Sequence, residues 1–140
     1  MQQKGADFIL EWAEHYVKHR DLIFRRIEKI EKQQNSLMVK YKDGSFEQFL
    51  PCLNLEMFDV TKIKFAVTVV TLNTKHNLDV LIKKWKELAE KKDLKIIFFN
   101  PDSELEKTWI IKPYVHNRIC DEKSLNQGLK AMFETVEAMG

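Results

Sequence analysis

Two short polar clusters interrupt otherwise apolar stretches, and they hold the residue types best suited to chemistry. Asn73-Thr74-Lys75-His76-Asn77 falls between a run rich in valine and threonine and an amphipathic stretch. His116-Asn117-Arg118 follows the apolar segment KTWIIKPYV. A strand that delivers the chain to a helix N-terminus presents unpaired backbone N–H groups and the positive end of the helix dipole, and both attract anions. Lys75 and His76 would strengthen that field, and ligands of open α/β sheets often bind outside strand C-termini. The candidate binding residues are therefore Asn73, Lys75, His76, Asn77, His116, Asn117 and Arg118. Each cluster also has an ordinary alternative, in which Asn73 and Asn77 serve turn and cap roles and Arg118 pairs with Asp121. Whether the two clusters meet depends on strand direction, which the sequence leaves open.

Other chemistry finds little support. The chain has no glycine-rich phosphate loop, no GxSxG and no Ser/His/Asp order. His15 and His19 stand four apart, a spacing that metal ligands use on a helix, but without a His-Glu-x-x-His pattern or nearby cysteines. Cys52 and Cys120 form no CxxC pair, and a reduced, cytoplasmic setting is expected. Cys120 stands close to Arg118, which would favour a thiolate, but a buried structural thiol is the expected reading. Trp109 is either a core residue or an exposed stacking platform. No catalytic residue, metal or cofactor is expected.

The elements that position these clusters follow from periodicity. Phe65 to Leu72 is β-branched and apolar on both alternating faces, as in a strand covered on both sides. Leu78, Leu81, Ile82, Trp85, Leu88 and Ala89 recur at three and four residues and mark a helix. Asn77 is its expected N-cap, with Asn73 and Thr74 as rivals. Leu94 to Phe99 reads as a second strand, ended by Asn100-Pro101. Strand, crossover helix and strand imply parallel pairing.

Around this unit, Asp7 to Lys32 reads as one long helix or a pair kinked near His19. Leu37 to Lys42 and Ser45 to Leu50 flank Asp43-Gly44, a strong hairpin signal of the type I′ kind. Cys52 to Ile63 is a further strand or an ordered apolar loop, and an exposed version would be a partner surface. Lys107 to Val115 reads as a strand that Pro113 marks as an edge or a bulge. Glu122 to Ala138 reads as a final helix with a Ser124/Gln127 capping box. Its Gly128 costs about 1 kcal/mol against alanine, and close approach to the sheet would explain it. The order is α-β-β-β-α-β-β-α. The expected fold is a mixed α+β domain over residues 1–140, with a mixed sheet of about five strands.

A chain of 140 residues with 31% charged side chains and few Gly or Pro can form an ordinary core. No apolar run reaches about 18 residues, so no membrane span and no membrane partner are expected; no signal-peptide h-region stands out. The net charge is +2, but Lys62 to Lys95 holds nine lysines against four acids. Either Lys83/Glu87 and Lys86/Glu90 pair across helical turns on a solvated face, or the excess is a footprint for a polyanion.

The helix, hairpin strands, third strand, helix and strand over about Asp7 to Asn100 resemble the core of the PD-(D/E)XK, or restriction-endonuclease-like, superfamily. The resemblance implies an acid near the second strand and an acid-x-Lys on the third, together holding a divalent metal. The strand expected to be third reads AVTVVTLNTK, with Thr68, Val69, Val70 and Thr71 in place of that motif and Lys75 too late for its lysine. Glu56 or Asp59 could stand in for the first acid. The resemblance thus implies a degenerate, non-catalytic member. The expected function is a binding domain for nucleic acid or another polyanion. The alternatives are a protein-interaction or homo-oligomer subunit, and a metal-dependent nuclease using Asp59 with His76 or His116.

Overall fold

The computed structural model describes residues 2–63, 66–102 and 108–139, and the side chains of these except 2–6 and 62. Six strands form one sheet in sequence order: β1 (Ile27–Lys32), β2 (Leu37–Tyr41), β3 (Phe46–Cys52), β4 (Val67–Leu72), β5 (Leu94–Phe99) and β6 (Thr108–Ile111). β1, β2 and β3 are an antiparallel meander; β3, β4 and β5 run parallel; β6 returns antiparallel. The mixed α+β class is as expected, with one strand more than the sequence suggested. The expected start of the β4 strand at Phe65, and Lys107 before β6, lie outside the described residues.

The additional strand is β1. Helix α1 (Gln2–Phe24) ends after Phe24, where the carboxylate of Asp21 reaches forward to accept the N–H groups of Arg26 at 2.7 Å and Ile27 at 3.1 Å. Arg25 turns into the left-handed region, φ +48°, and the chain leaves as a strand. Ile27 and Ile30 look helical because they are three apart. A bulge between Ile27 and Lys29 places them opposite Tyr41 and Val39, on one face of the sheet. A bulge thus lets a strand mimic a helical stripe.

The Asp43-Gly44 hairpin forms, but not through a type I′ turn. Only Gly44, at φ +92°, is left-handed there, and the N–H of Gly44 donates to the Tyr41 carbonyl at 3.0 Å. This is the longer hairpin loop, a turn followed by a left-handed glycine. The parallel crossover from β3 to β4 passes through two single 3-10 turns, Leu55–Met57 and Val60–Lys62, so of the segment Cys52 to Ile63 only Cys52 is strand and the rest is an ordered loop. The crossover from β4 to β5 is helical. It is divided at Lys84 into α2 (Lys75–Lys83) and α3 (Trp85–Ala89).

After β6 the chain forms α4 (Pro113–Ile119) and α5 (Glu122–Glu134). Pro113 opens α4 instead of ending a strand, because the first helical position needs no N–H. Asp121, not Ser124, caps α5, accepting the Ser124 N–H at 2.8 Å. An added Cβ at Gly128 would meet nothing within 4 Å, so close packing does not explain that glycine.

Both sheet faces are covered. On one, Ile9, Leu10, Ala13 and Val17 of α1 pack on Val39, Phe49, Val70 and Ile97, and Trp12 stacks on Phe99 at 4.0 Å between ring centroids. On the other, Leu78, Leu81, Trp85, Leu88 and Leu129 pack on Val69, Ile96 and Phe98. Each such side chain contributes roughly 2 kcal/mol of burial. No helix among the described residues is long and apolar enough to cross a membrane.

Candidate functional site

At the carboxyl ends of β4 and β5 the polar cluster 73–77 is largely consumed by the fold. Thr74 is the N-cap of α2, its hydroxyl accepting the Asn77 N–H at 3.0 Å. Asn77 therefore lies within the helix and is buried. Its Oδ1 accepts the Leu55 N–H at 2.9 Å, and its amide donates to the carbonyls of Leu53 and Leu72 and to Thr71 Oγ1. It locks the crossover loop onto the sheet. Asn73 is also buried. Its Oδ1 accepts Trp109 Nε1–H at 2.8 Å, and its amide donates to the Val136 carbonyl at 3.0 Å, tying the segment after α5 to β4 and β6. Trp109 is accordingly core, not a stacking platform. The exposed polar residues here are Lys75, 3.4 Å from Asp79, and His76, whose Nε2 lies 3.1 Å from Asn54 Oδ1 and 3.5 Å from Glu56.

His116, Asn117 and Arg118 lie on α4, not in a loop. Because β6 is antiparallel to β5, with Ile111 opposite Ile96 and Thr108 opposite Phe99, α4 starts at the other end of the strands from α2. The two clusters share no hydrogen bond or ion pair. His116 Nδ1 lies 2.9 Å from the Lys112 carbonyl and closes the first turn of α4. Asn117 Oδ1 accepts Trp85 Nε1–H at 2.9 Å, fixing α4 against α3. Arg118 donates to Tyr114 Oη at 2.8 Å and covers its ring. It does not pair with Asp121, whose carboxylate is the α5 cap.

The Trp85–Asn117 bond brings the basic face of the central helix beside α4. A groove of about 560 Å³ lies between them and α5, with Lys83, Lys84 and Lys86 on one wall and Asn117, Cys120 and Asn126 on the other; Glu87 and Glu122 also reach it. Lys84 Nζ donates to the Glu56 carbonyl at 2.8 Å. The expected Lys83/Glu87 and Lys86/Glu90 pairs do not form: among the described residues no ion pair involves Lys83, Lys86, Lys91, Lys92, Lys112 or Arg118. Outward-facing lysines carry rotamer entropy that weak surface pairing does not offset.

No family model, no curated protein and no solved structure matches the chain. Its geometry must carry the functional argument.

One polar network went unnoticed in the sequence. Glu47 on β3 accepts from Tyr41 Oη at 2.6 Å and from Thr68 Oγ1, and lies 3.1 Å from Lys95 Nζ. These residues line a groove of about 330 Å³ rimmed by Lys92, Lys112 and Phe46. Burial pushes the Glu47 carboxyl up, but the Lys95 charge and the hydrogen bonds from Thr68, Tyr41 and Lys95 outweigh it and hold it below its usual range. Burial, then the bond to Glu47, raises the Tyr41 hydroxyl. The available signal was Lys95 itself, a charge near the start of the buried run LKIIFF. Glu47 gave none, since it falls at an ordinary alternating position of a hairpin. Burial likewise pushes the Cys52 thiol up to about 11. Among the described residues no three His, Cys, Asp or Glu side chains converge as a metal site. Glu56 reaches His76, while Asp59 caps the second 3-10 turn through the Thr61 N–H at 3.0 Å.

Proposed function

We propose that the chain is a non-catalytic binding domain whose basic α3–α4 surface takes nucleic acid. The observation that carries this reading is that Lys83 and Lys86 stand exposed without the partners their spacing offers, flanking the Trp85 that is bonded to Asn117, the residue before exposed Arg118 on α4. Cations left uncompensated on adjoining helices release counterions from a phosphate backbone. Lys92 and Lys112 extend the surface toward the amino ends of β5 and α4.

The resemblance to restriction-endonuclease-like proteins is one of layout, and with β1 included four strands precede α2 where that layout has three. Counted from β1, the third strand is Phe46–Cys52, and Glu47-Gln48-Phe49 would stand where that family has acid-x-Lys. Phenylalanine replaces the lysine, and the Glu47 oxygens are engaged by two hydroxyls and an ammonium. That donor set suits a neutralised pair better than a Mg²⁺ site, which needs several oxygen ligands free to bind. The Glu47 donor set therefore favours binding without cleavage.

The test is a gel-shift series with labelled duplex DNA, single-stranded DNA and RNA at two salt concentrations, with and without Mn²⁺. The expected result is a shift that weakens with salt and leaves the probe intact. Lys86→Glu with Arg118→Glu should weaken binding at least about tenfold through lost counterion release, and Lys75→Glu much less. Equal binding by wild type and the Lys86/Arg118 variant would overturn the reading, and Mn²⁺-dependent cutting would replace it with a nuclease centred on Glu47.

A further inference from the structure

The end of α1 exposes three consecutive large apolar side chains, Leu22 at 65%, Ile23 at 84% and Phe24 at 68% of their surface. Successive helix residues step by about 100°, so these three fan round the helix end. No single packing face of the molecule could bury them all. The stripe that does pack, Ile9, Ala13 and Val17, lies earlier in the helix.

The tip is held firmly. Arg25 occupies a left-handed conformation that L side chains rarely adopt, and Asp21 clamps the turn through the N–H groups of Arg26 and Ile27. The clamp also occupies the one acidic group within the tip. The facing hairpin does the same with its own acid, since Asp43 accepts both the N–H and the hydroxyl of Ser45. Both carboxylates keep their charge, and Asp43 lines the same hollow as Arg26 and Lys42, but the surrounding cations outnumber the two acids. Arg20, Arg25, Arg26 and Lys42 enter no ion pair among the described residues. Arg26 lies over the Phe24 ring at 5.0 Å, and Lys42 lines the same hollow as Phe24 and Arg26. A fanned apolar tip thus sits inside a cationic collar.

We infer that this end of the molecule docks on an anionic phospholipid surface, with Leu22, Ile23 and Phe24 dipping to the headgroup–acyl boundary and Arg20, Arg25, Arg26 and Lys42 meeting lipid phosphates. Side chains that point three ways cannot share one rigid partner groove, which reads residues three and four apart on one face. A fluid interface closes around all three. Aliphatic side chains gain little from a nucleic-acid backbone, and a second copy would set one cationic collar against another. Surface docking needs no membrane span, so it is compatible with the absence, among the described residues, of a helix long and apolar enough to cross a membrane. The tip lies on the α1 side of the sheet, away from the α3–α4 surface, and does not depend on the nucleic-acid reading.

The full chain should co-sediment with vesicles of phosphatidylcholine containing about one-third phosphatidylserine, and not with phosphatidylcholine alone, and binding should fall with salt. Leu22→Ser with Ile23→Ser and Phe24→Ser should abolish sedimentation while leaving the circular dichroism and melting temperature unchanged, as expected of exposed residues. Arg25→Gln with Arg26→Gln should reduce binding several-fold. Lys86→Glu with Arg118→Glu should leave it intact. The inference fails if wild type ignores phosphatidylserine, if the triple serine variant binds as well as wild type, or if the Lys86/Arg118 variant loses binding instead. Loss of nucleic-acid affinity in the triple serine variant, with no vesicle binding by wild type, would assign the tip to the nucleic-acid surface and overturn the lipid role.

Discussion

The asparagines at the carboxyl edge of the sheet and the polar residues of α4 looked alike as sequence, short polar clusters beside apolar strands, yet the fold uses them differently. Asn73 and Asn77 are enclosed, and every polar atom of their side chains is bonded to backbone or to a buried side chain. Asn117 and Arg118 are exposed, each with one neighbour, and among the described residues Lys83 and Lys86 enter no ion pair. A third polar region, around Glu47, lies between these extremes: it is sunk in a groove, but charged. The difference shows how burial divides polar residues. Where backbone groups need partners, an amide is absorbed into structure. Where nothing demands them, polar groups remain available for a ligand.

The charged network should give the largest effect. Lys95→Met leaves Glu47 buried without its counter-charge and should destabilise the protein by about 3–5 kcal/mol at neutral pH. Adding Glu47→Gln should restore most of that, since glutamine is neutral, keeps one acceptor oxygen for one hydroxyl and can donate its amide N–H to the other. The pH dependence gives a second handle. The folded-state pKa of Glu47 is depressed, so its stabilisation is present above the unfolded carboxylate value of about 4.3 and is lost as pH falls through the lower folded value. In Lys95→Met only burial and the hydroxyl bonds remain, so the penalty should shrink as Glu47 takes up a proton in acid. Urea denaturation at neutral and acidic pH measures both. An equal penalty at both would mean that Lys95 acts through packing alone.

Next in size is the contrast between the two asparagine-bearing regions. Asn77→Ala strands the Leu55 N–H and the Leu72 carbonyl in a closed interior and should cost about 3 kcal/mol. Asn117→Ala removes one bond, to Trp85 Nε1–H, at an exposed position, and should cost about 1 kcal/mol. Amide hydrogen exchange should report loss of protection at Leu55 in the first variant and not the second. Similar costs for both would remove the distinction drawn between enclosed and exposed polar residues.

Much of the fold was legible because its signals are local. The valine–threonine run of β4, the stripe of α2 and α3, the apolar run of β5 and the Asp43-Gly44 hairpin each carry their own period or turn chemistry. What was hidden depended on non-local facts. The β1 bulge made Ile27 and Ile30 look helical, and only pairing with Tyr41 and Val39 reveals the strand. Pro113 stops a strand or starts a helix with equal ease, and the choice lies in how β6 meets α4. The site was less legible still. Lys75, His76 and Arg118 are exposed as their types suggest. The roles of Asn73 and Asn77 are fixed by groups at Trp109, Val136, Leu53 and Leu55, too distant in sequence for local spacing to show. Glu47, Thr68 and Lys95 come together only through sheet order.

The smallest expected effect falls on α5, the element that Asn73 helps hold in place. Gly128 is exposed in the middle of this helix and faces open space, so Gly128→Ala meets no steric objection. Alanine restricts the unfolded chain and favours the helix, and should stabilise by about 0.5–1 kcal/mol. If thermal denaturation instead shows a loss, something must contact the outward face of α5, and that face would then belong with the occupied regions of the molecule instead of the free ones. A gain would leave α5 and the segment after it anchored through the buried stripe and the bonds from Asn73 and Asn100, of which Asn73 makes the more numerous, so Asn73→Ala is the variant expected to loosen the C-terminal segment most.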